Sequence, residues 1–395
     1  MDRDLILAAT AELETPVGAV DVRAMEVNLA SMQALAQRLG ARLRPHAKTH
    51  KSAEVARRQL AHGASGLTSA TLQEAEAFAR AGARDLLLCQ PPVGAARLRR
   101  LQALAEQVDR LAVSLDSVEV AALLPESVDV LWEVDTGHHR LGTPPGAQTA
   151  GAVAKLVAAV GEERFRGLLT FPGHAYSVAG GAQLATVART EWELMVATAG
   201  RVRAAGFAVR ELSIGSTPTI GLSAAQRAPD GGDASLPARV PEGAAAADRP
   251  TELRPGAYVY GDAQQVALGA MSVERCALGV VATVIATPAP DRAVLDAGSK
   301  ALAADRSVSW LQGYARVVGR DDLVLDRMSE EHGVLVAPDG DTRLRIGDRV
   351  VCVPVHCCTT VNLHPALLMV EAGHSWWDPV EARGWRAGEV PGASG

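Results

Sequence analysis

Between residues 21 and 262, short apolar runs alternate with stretches whose apolar positions return every three to four residues. The first such stretch, MEVNLASMQALAQRLG, sets Met25, Leu29, Met32, Leu35 and Leu39 on one face and stops at Gly40, which predicts an amphipathic helix. TLQEAEAFARAG predicts another. The intervening apolar runs predict strands near RLRPHAK and at GLTSA (66–70), DLLLC (85–89), RLAVSL (110–115), VDVLWEV (128–134), GLLTF (167–171), RELSIG (210–215) and AYVYG (257–261). Eight strand–helix units predict an α/β fold with a parallel (β/α)8 barrel of the TIM type over residues 21–262, with an open doubly wound sheet as the competing arrangement.

From residue 263 the helical period fades. ALGVVATVIATP, RAVLDAG, GVLVAP and RIGDRVVCVPVH are strand-like runs separated by turn residues such as PDGD, which predicts a smaller, mainly β domain. The segment from Leu222 to Pro250 is rich in Ala, Gly, Pro and Asp, shows no period, and is expected to be a surface loop before the last barrel strand.

A chain of 395 residues is long for one core, so two domains are the default expectation. With 48% hydrophobic and 21% charged residues and a net charge of −6, the composition is that of a soluble globular protein with no basic face for nucleic acid. The amino-terminal stretch carries acids and no long apolar run, and nothing reaches membrane-span length. Five cysteines do not suggest a disulfide framework, and a cytoplasmic location is expected. The 39 basic residues include only four lysines, Lys48, Lys51, Lys155 and Lys300. Where arginine fills almost every solvated cationic position, a lysine suggests chemistry that arginine cannot perform, such as imine formation or proton abstraction.

Four stretches carry candidate chemistry. RPHAKTHKS places Lys48 at the end of the first predicted barrel strand, flanked by Pro45, His46 and His50. Active sites of such barrels gather at the carboxyl ends of the strands, where a lysine can bind an aldehyde cofactor; the plain alternative is a solvated surface lysine. SIGSTPT follows predicted strand seven, beside RPGAYVYGD of strand eight, where these barrels hold phosphate, although GST is by itself an ordinary turn. EVDTGHHRLG projects Asp135 and Arg140 toward the same mouth, either as a turn-shaping ion pair or with Arg140 as a donor to an anionic oxygen. In VPVHCCTTVNL, His356 and Cys358 are spaced i, i+2 on a strand-like run, so they share a face while Cys357 points away. Two such ligands suit a catalytic Zn²⁺ site with open positions; a core cysteine beside a hydrogen-bonded histidine is the alternative.

In order along nearly the whole chain, RPHAKTHKS, TSATLQEAEAFARAGARDLLL, VDTGHHRLG, FPGHAYS, SIGSTPT, TELRPGAYVYGD, LDAGSKALAAD, SEEHG and PVHCCTTVNL resemble the eukaryotic-type D-serine dehydratase and D-threonine aldolase family. These are fold-type III pyridoxal-phosphate enzymes related to alanine racemase. The resemblance implies a barrel plus a β-domain built from 263–395 and the extreme amino terminus, 1–20, in a head-to-tail homodimer with shared active sites. It implies that Lys48 is the Schiff-base lysine, that Arg140 lies near the cofactor's phenolic oxygen, that Gly215, Ser216 and Thr217 form the phosphate loop with Gly256 and Ala257 as backbone donors, that His174 and Tyr176 belong to the cofactor site, and that His356 and Cys358 hold the metal. Phe171 departs from the family pattern, which has tyrosine there.

The family's dehydratases resemble His-x-Cys with zinc, whereas its aldolases more often show His-x-Asp with manganese, magnesium or another hard ion, in keeping with ligand softness. The resemblance therefore implies a lyase: pyridoxal 5'-phosphate- and zinc-dependent β-elimination of a small D-amino acid bearing a β-hydroxyl, such as D-serine, D-threonine or D-threo-3-hydroxyaspartate, to a keto acid and ammonia. Lys48 would remove the Cα proton. Three alternatives stay open at this point: a metal-dependent aldolase releasing glycine and an aldehyde, using Mn²⁺ or Mg²⁺, an amino-acid racemase, and a non-enzymatic pyridoxal-phosphate carrier.

Overall fold

The computed structural model describes residues 1–221, 249–305 and 311–384. The segment 222–248, expected to be a surface loop, lies outside the described residues.

After a short helix, Arg3–Ala9, comes β1 (Val17–Asp21), and Asp21 caps the helix Val22–Arg38 by accepting from the Ala24 N–H at 2.9 Å. Met25, Leu29, Met32 and Leu35 of that helix are buried, as their spacing predicts. Eight parallel strands follow: β2 (Arg42–Leu43), β3 (Leu67–Ser69), β4 (Asp85–Leu88), β5 (Arg110–Leu115), β6 (Asp129–Glu133), β7 (Phe165–Leu169), β8 (Glu211–Ile214) and β9 (Glu252–Leu253), with β3 to β9 each paired with the next and β2 paired with β9. The first and last sit side by side, and the circle closes through the bridge between His46 and Thr68. Helices such as Leu72–Arg80, which begins with a Thr71–Glu74 capping box, cover the outside.

The barrel interior is layered. At the amino ends of the strands, Arg42, Arg44, Asp85, Arg110, Asp129, Arg166, Glu211 and Glu252 form a network of ion pairs, including Arg44 Nε to Glu252 at 2.7 Å. Above it Leu87, Ala112, Leu131 and Leu169 pack as an apolar layer. Those two layers close the lower part of the barrel and leave the carboxyl ends of the strands free for a site.

The last barrel strand lies at Glu252–Leu253 rather than at 257–261. Pairing runs on only as far as the Pro255 carbonyl, which accepts the His46 N–H at 2.9 Å. Pro255 cannot donate, and Ala257–Val259 coil into a short 3₁₀ turn. The aromatic run in AYVYG reads as a strand because Tyr258, Val259 and Tyr260 are all buried.

The second sheet is mainly antiparallel. It contains β10 (Leu278–Ala289), β11 (Arg292–Leu295), β12 (Ala315–Val317), β13 (Val324–Met328), β14 (Gly333–Val336), β15 (Arg349–Pro354), β16 (Ala366–Glu371) and β17 (His374–Pro379). The order is β11-β14-β13-β12-β15-β10-β1-β16-β17, and the added pairing of β10 with β11 closes six strands around a core that includes Val280, Leu295, Leu325 and Leu335. β1 is held between β10 and β16, which ties the amino terminus into this sheet. Among the described residues no helix is long and apolar enough to cross a membrane.

Candidate active site

A cavity of about 240 Å³ opens at the carboxyl ends of the barrel strands, lined by His46, Lys48, Cys89, Glu133, Arg140 and Arg254, with Ala70, Gln90, Pro91, Leu141, Leu169 and Phe171 completing the wall. Lys48 sits in a one-turn 3₁₀ helix, Ala47–Thr49, just beyond β2. Its Nζ lies 5.3 Å from the centre of the Phe171 ring, and Arg140 Cζ lies 5.0 Å from the same ring. Phe171, which lacks the phenol of the family pattern, thus offers its ring to two cations.

Glu133, at the end of β6, accepts from Ser114 Oγ at 2.7 Å and lies 3.8 Å from Arg140. Burial pushes its carboxyl up, against the pull of Ser114 and Arg140. Asp135 does not join Arg140. It accepts from the Gly137 and His139 N–H groups at 2.9 and 3.0 Å and pairs with the His139 ring at 2.8 Å, shaping the turn. Arg254 donates to Ser213 Oγ at 2.7 Å and to the Thr170 carbonyl. His46 is buried, and burial together with Lys48, Arg254 and Arg140 pushes its pKa well down, so its imidazole is neutral; its Nδ1 has no hydrogen-bond partner among the described residues.

The glycine-hydroxyl loop follows β8. Gly215 has φ of 94°, and a Cβ there would meet Ile220 Cδ1 at 2.5 Å, so only glycine fits the turn. Ser216 caps the short helix Thr217–Ile220, and its N–H donates to Thr219 Oγ1 at 2.9 Å. Thr217 Oγ1 accepts the Tyr258 N–H at 3.0 Å, which joins this loop to the Gly256–Ala257 turn. A Cβ on Gly256 would lie 2.9 Å from Thr49 Oγ1 and 3.0 Å from the His46 carbonyl, so this glycine lets the turn pack directly on the lysine's helix. The N–H groups of Thr217, Gly256 and Ala257 have no acceptor among the described residues. His174 and Tyr176 lie in the turn Gly173–Tyr176 after Phe171, outside the wall of the lysine cavity; the Tyr176 ring is 6.4 Å from that of Phe171.

Beneath the loop, Glu191 accepts the Gly215 N–H at 2.7 Å, and its other oxygen is buried without a partner among the described residues. Burial raises its pKa from 4.5 to about 7, opposed by the bonds from Gly215 and Thr219. A carboxyl with a raised folded value binds more protons when folded. Its stabilising contribution is full below about 4.5 and is lost as pH rises to about 7. Glu191→Gln, neutral at every pH, should flatten that decline in the cofactor-free protein, by on the order of 3 kcal/mol at pH 8. Denaturation midpoints across pH 5 to 8, roughly the titration window, check this; parallel curves for both proteins would contradict it.

The His356–Cys358 segment departs from the strand reading. β15 ends at Pro354, and a helix runs over Cys357–Leu363, its first N–H accepted by Asp262 Oδ2 at 3.1 Å. The buried Asp262 carboxylate satisfies a donor that would otherwise be orphaned, which lets the chain turn into a helix there. Cys357 still turns into the core, fully buried, while Cys358 is partly buried at the core's edge, and neither His356 nor Cys358 is among the residues lining the lysine cavity. Cys358 Sγ is 3.2 Å from Thr49 Oγ1, so the sulfur lies against the residue next to Lys48 in the same chain. A hydrogen bond from Cys357, the His356 imidazole and Lys48 hold the Cys358 thiol well below its usual range, against burial. Burial disfavours charge on His356, yet the Cys358 sulfur and Asp305 outweigh it and push the imidazole up to about 11. Among the described residues no cluster of three or more His, Cys, Asp or Glu side chains surrounds a metal position.

The structure therefore joins Lys48 and Arg140 on one wall and brings Cys358 to the neighbouring residue. Of the other lining residues, Glu133 and Arg254 open the stretches EVDTGHHRLG and RPGAYVYGD without being singled out there, and Cys89 ends DLLLC; each stands at or just past the end of a barrel strand.

Comparison with known proteins adds the lineage. Residues 20–228 match the alanine racemase N-terminal domain and residues 277–370 a putative serine dehydratase domain. The chain is 34% identical to the D-threo-3-hydroxyaspartate dehydratase of Delftia sp. (strain HT23), covering 94% of this chain and 98% of that one. It is 32% identical to a D-threonine aldolase of Arthrobacter sp., covering 95% and 94%. The solved structure of the dehydratase from Delftia sp. HT23 superposes with a TM-score of 0.81 at 31% identity, covering 98% and 100%; a cysteine-to-alanine mutant of D-threo-3-hydroxyaspartate dehydratase, solved in the metal-free form, matches equally well. The chain belongs to the family of D-serine dehydratases and D-threonine aldolases, lyases with an alanine racemase-like fold.

Proposed function

We propose that the chain is a pyridoxal-phosphate- and zinc-dependent dehydratase that eliminates water from a small D-β-hydroxy amino acid, giving a keto acid and ammonia. The observation that carries this reading is the contact of Cys358 Sγ with Thr49 Oγ1 at 3.2 Å, which sets a soft His-x-Cys pair beside the lysine of the barrel mouth.

The residues suit both groups. For the cofactor there is an amine at the mouth, three N–H groups without acceptors at Thr217, Gly256 and Ala257, and the partnerless Nδ1 of His46. For zinc there is a thiol held ready to ionise and an imidazole whose Nδ1 is already engaged, leaving Nε2. When bound, pyridoxal phosphate supplies an electron sink for the pair left at Cα, and zinc supplies Lewis acidity at the β-hydroxyl.

The chain's own groups do the rest. The N–H groups of Thr217, Gly256 and Ala257 would hold the phosphate, with Ser216 fixing the loop and Gly215 its turn. Arg140 would donate to the anionic ring oxygen. Lys48 Nζ would hold the cofactor's aldehyde carbon and, once displaced by substrate, take the Cα proton. His356 and Cys358 would hold the metal at the β-hydroxyl side. The head-to-tail homodimer belongs to this proposal as well.

An aldolase would use the same residues but take the hydroxyl proton and break Cα–Cβ; the match to the Arthrobacter aldolase over 95% of this chain keeps that reading in view. The thiol in place of a hard carboxylate favours zinc and elimination. A strong chelator should silence turnover of D-β-hydroxy amino acids, and zinc should restore it better than magnesium. Turnover untouched by the chelator, or restored only by magnesium, would contradict the zinc assignment.

A further inference from the structure

The His356 imidazole has a partner that no motif announces. Asp305 follows the short helix Ser299–Leu302, and its Oδ2 lies 2.5 Å from His356 Nδ1. Its Oδ1 accepts from Thr359 Oγ1 at 2.8 Å. Thr359 is in the same helix as Cys358, three residues after His356. The segment bearing Asp305 is itself fastened to that helix: Thr360 Oγ1 donates to the Leu302 carbonyl at 2.9 Å, and His364 Nε2 to the Ala301 carbonyl at 3.0 Å. Both oxygens of the carboxylate are thus engaged, one on the imidazole and one on the hydroxyl, so Asp305 is placed behind the histidine.

We propose that Asp305 is a positioning residue for the metal pair, fixing the tautomer and ring plane of His356 so that Nε2 presents its lone pair on the side of Cys358. This rests on the reading of His356 and Cys358 as metal ligands. An ionised carboxylate can only accept, so Nδ1 keeps its hydrogen toward Asp305, and Nε2 is the nitrogen left to exchange its proton for a metal. A ring held by one strong bond at Nδ1 loses little freedom on metal binding, and the carboxylate makes the imidazole a better donor. Thr359 holds the carboxylate in turn, so its effect passes through Asp305.

The test is the zinc affinity of the full chain, measured by competition with a chromogenic chelator. Asp305→Ala should weaken zinc binding by roughly ten- to a hundredfold. Asp305→Asn, which keeps an acceptor but no charge, should lose less, and Thr359→Val less again. The double variant Asp305→Ala/Thr359→Val should be no weaker than Asp305→Ala alone, because both side chains act through one carboxylate. Pyridoxal-phosphate content and thermal midpoint should match wild type in each, which a general structural defect would not allow. Wild-type zinc affinity in Asp305→Ala would overturn the role of Asp305 and leave the metal pair standing. A wild-type chain that takes up no zinc would overturn the metal pair and this proposal with it.

Discussion

Lys48→Arg should lower kcat/KM at least about a thousandfold while the protein stays folded, since both the covalent hold on the cofactor and the transfer of the Cα proton depend on that amine. Arginine keeps the positive charge and can face the Phe171 ring as Lys48 does, so packing at the half-buried mouth changes little. It cannot form the bond to the aldehyde or give up its proton near neutral pH. Circular dichroism would report the fold, and initial rates on a D-β-hydroxy amino acid the loss. Borohydride reduction of the wild-type holoenzyme, followed by peptide mapping, should place the cofactor on Lys48. The other lysines are otherwise placed: Lys51 is bound to Asn362 at 2.8 Å and lies 3.4 Å from Glu74, Lys300 pairs with Glu330 and Glu331, and Lys155 is exposed on the outer helix Ala147–Val160. Label on any of them, or activity near wild type in Lys48→Arg, would contradict the mechanism.

Cys358→Ala should lose zinc and activity together, with cofactor binding retained. Lewis-acid help to a leaving hydroxyl contributes several kcal/mol, so the rate should fall at least about a hundredfold. Cys357→Ala should keep both zinc and most of its activity. Its sulfur is fully buried in the barrel-side core, and the hydrogen bond it offers the Cys358 thiol would be replaced by the metal's own pull on the thiolate, so the expected cost is mainly one of packing, about 1 kcal/mol, seen as a lower thermal midpoint. The two neighbours differ because the helix beginning at Cys357 turns one side chain inward and the next toward Thr49. Zinc content and rate of the two alanine variants, compared side by side, check the assignment. Loss of zinc from Cys357→Ala with retention in Cys358→Ala would reverse it.

Much of the barrel is legible in the sequence because its strands are short, apolar and separated by amphipathic helices. Leu86–Leu88 and Val113–Leu115 cannot be anything but buried, and Thr71 with Glu74 marks a helix start. The eighth strand is misplaced for a definite reason. Only Glu252 and Leu253 pair, a run too short to show a period, while the adjacent Tyr258–Tyr260 carries a strong apolar signal that belongs to core packing. The opening of the Cys357–Leu363 helix is hidden for another reason: what turns the chain there is the Asp262 carboxylate, 95 residues away in sequence. Within the site, Lys48 stands out by the rarity of lysine and Arg140 by its strand-end motif. Arg254 and Cys89 do not, because their place on the wall is set by the closing of the barrel. Asp305 and Glu191 are further from view still. Each acts through a backbone or ring atom of a residue brought near only by the fold, Glu191 at the Gly215 N–H and Asp305 at His356 Nδ1.

Elimination at the β-carbon is tested most directly by giving the zinc-loaded holoenzyme a panel of D-β-hydroxy amino acids — D-serine, D-threonine and D-threo-3-hydroxyaspartate — with their L counterparts as controls, and measuring ammonia and aldehyde in the same samples. Ammonia and keto acid should appear in equal amounts from at least one D substrate, with no aldehyde and no turnover of the L forms. Glycine and an aldehyde in place of ammonia would contradict the elimination and identify the aldolase reaction instead.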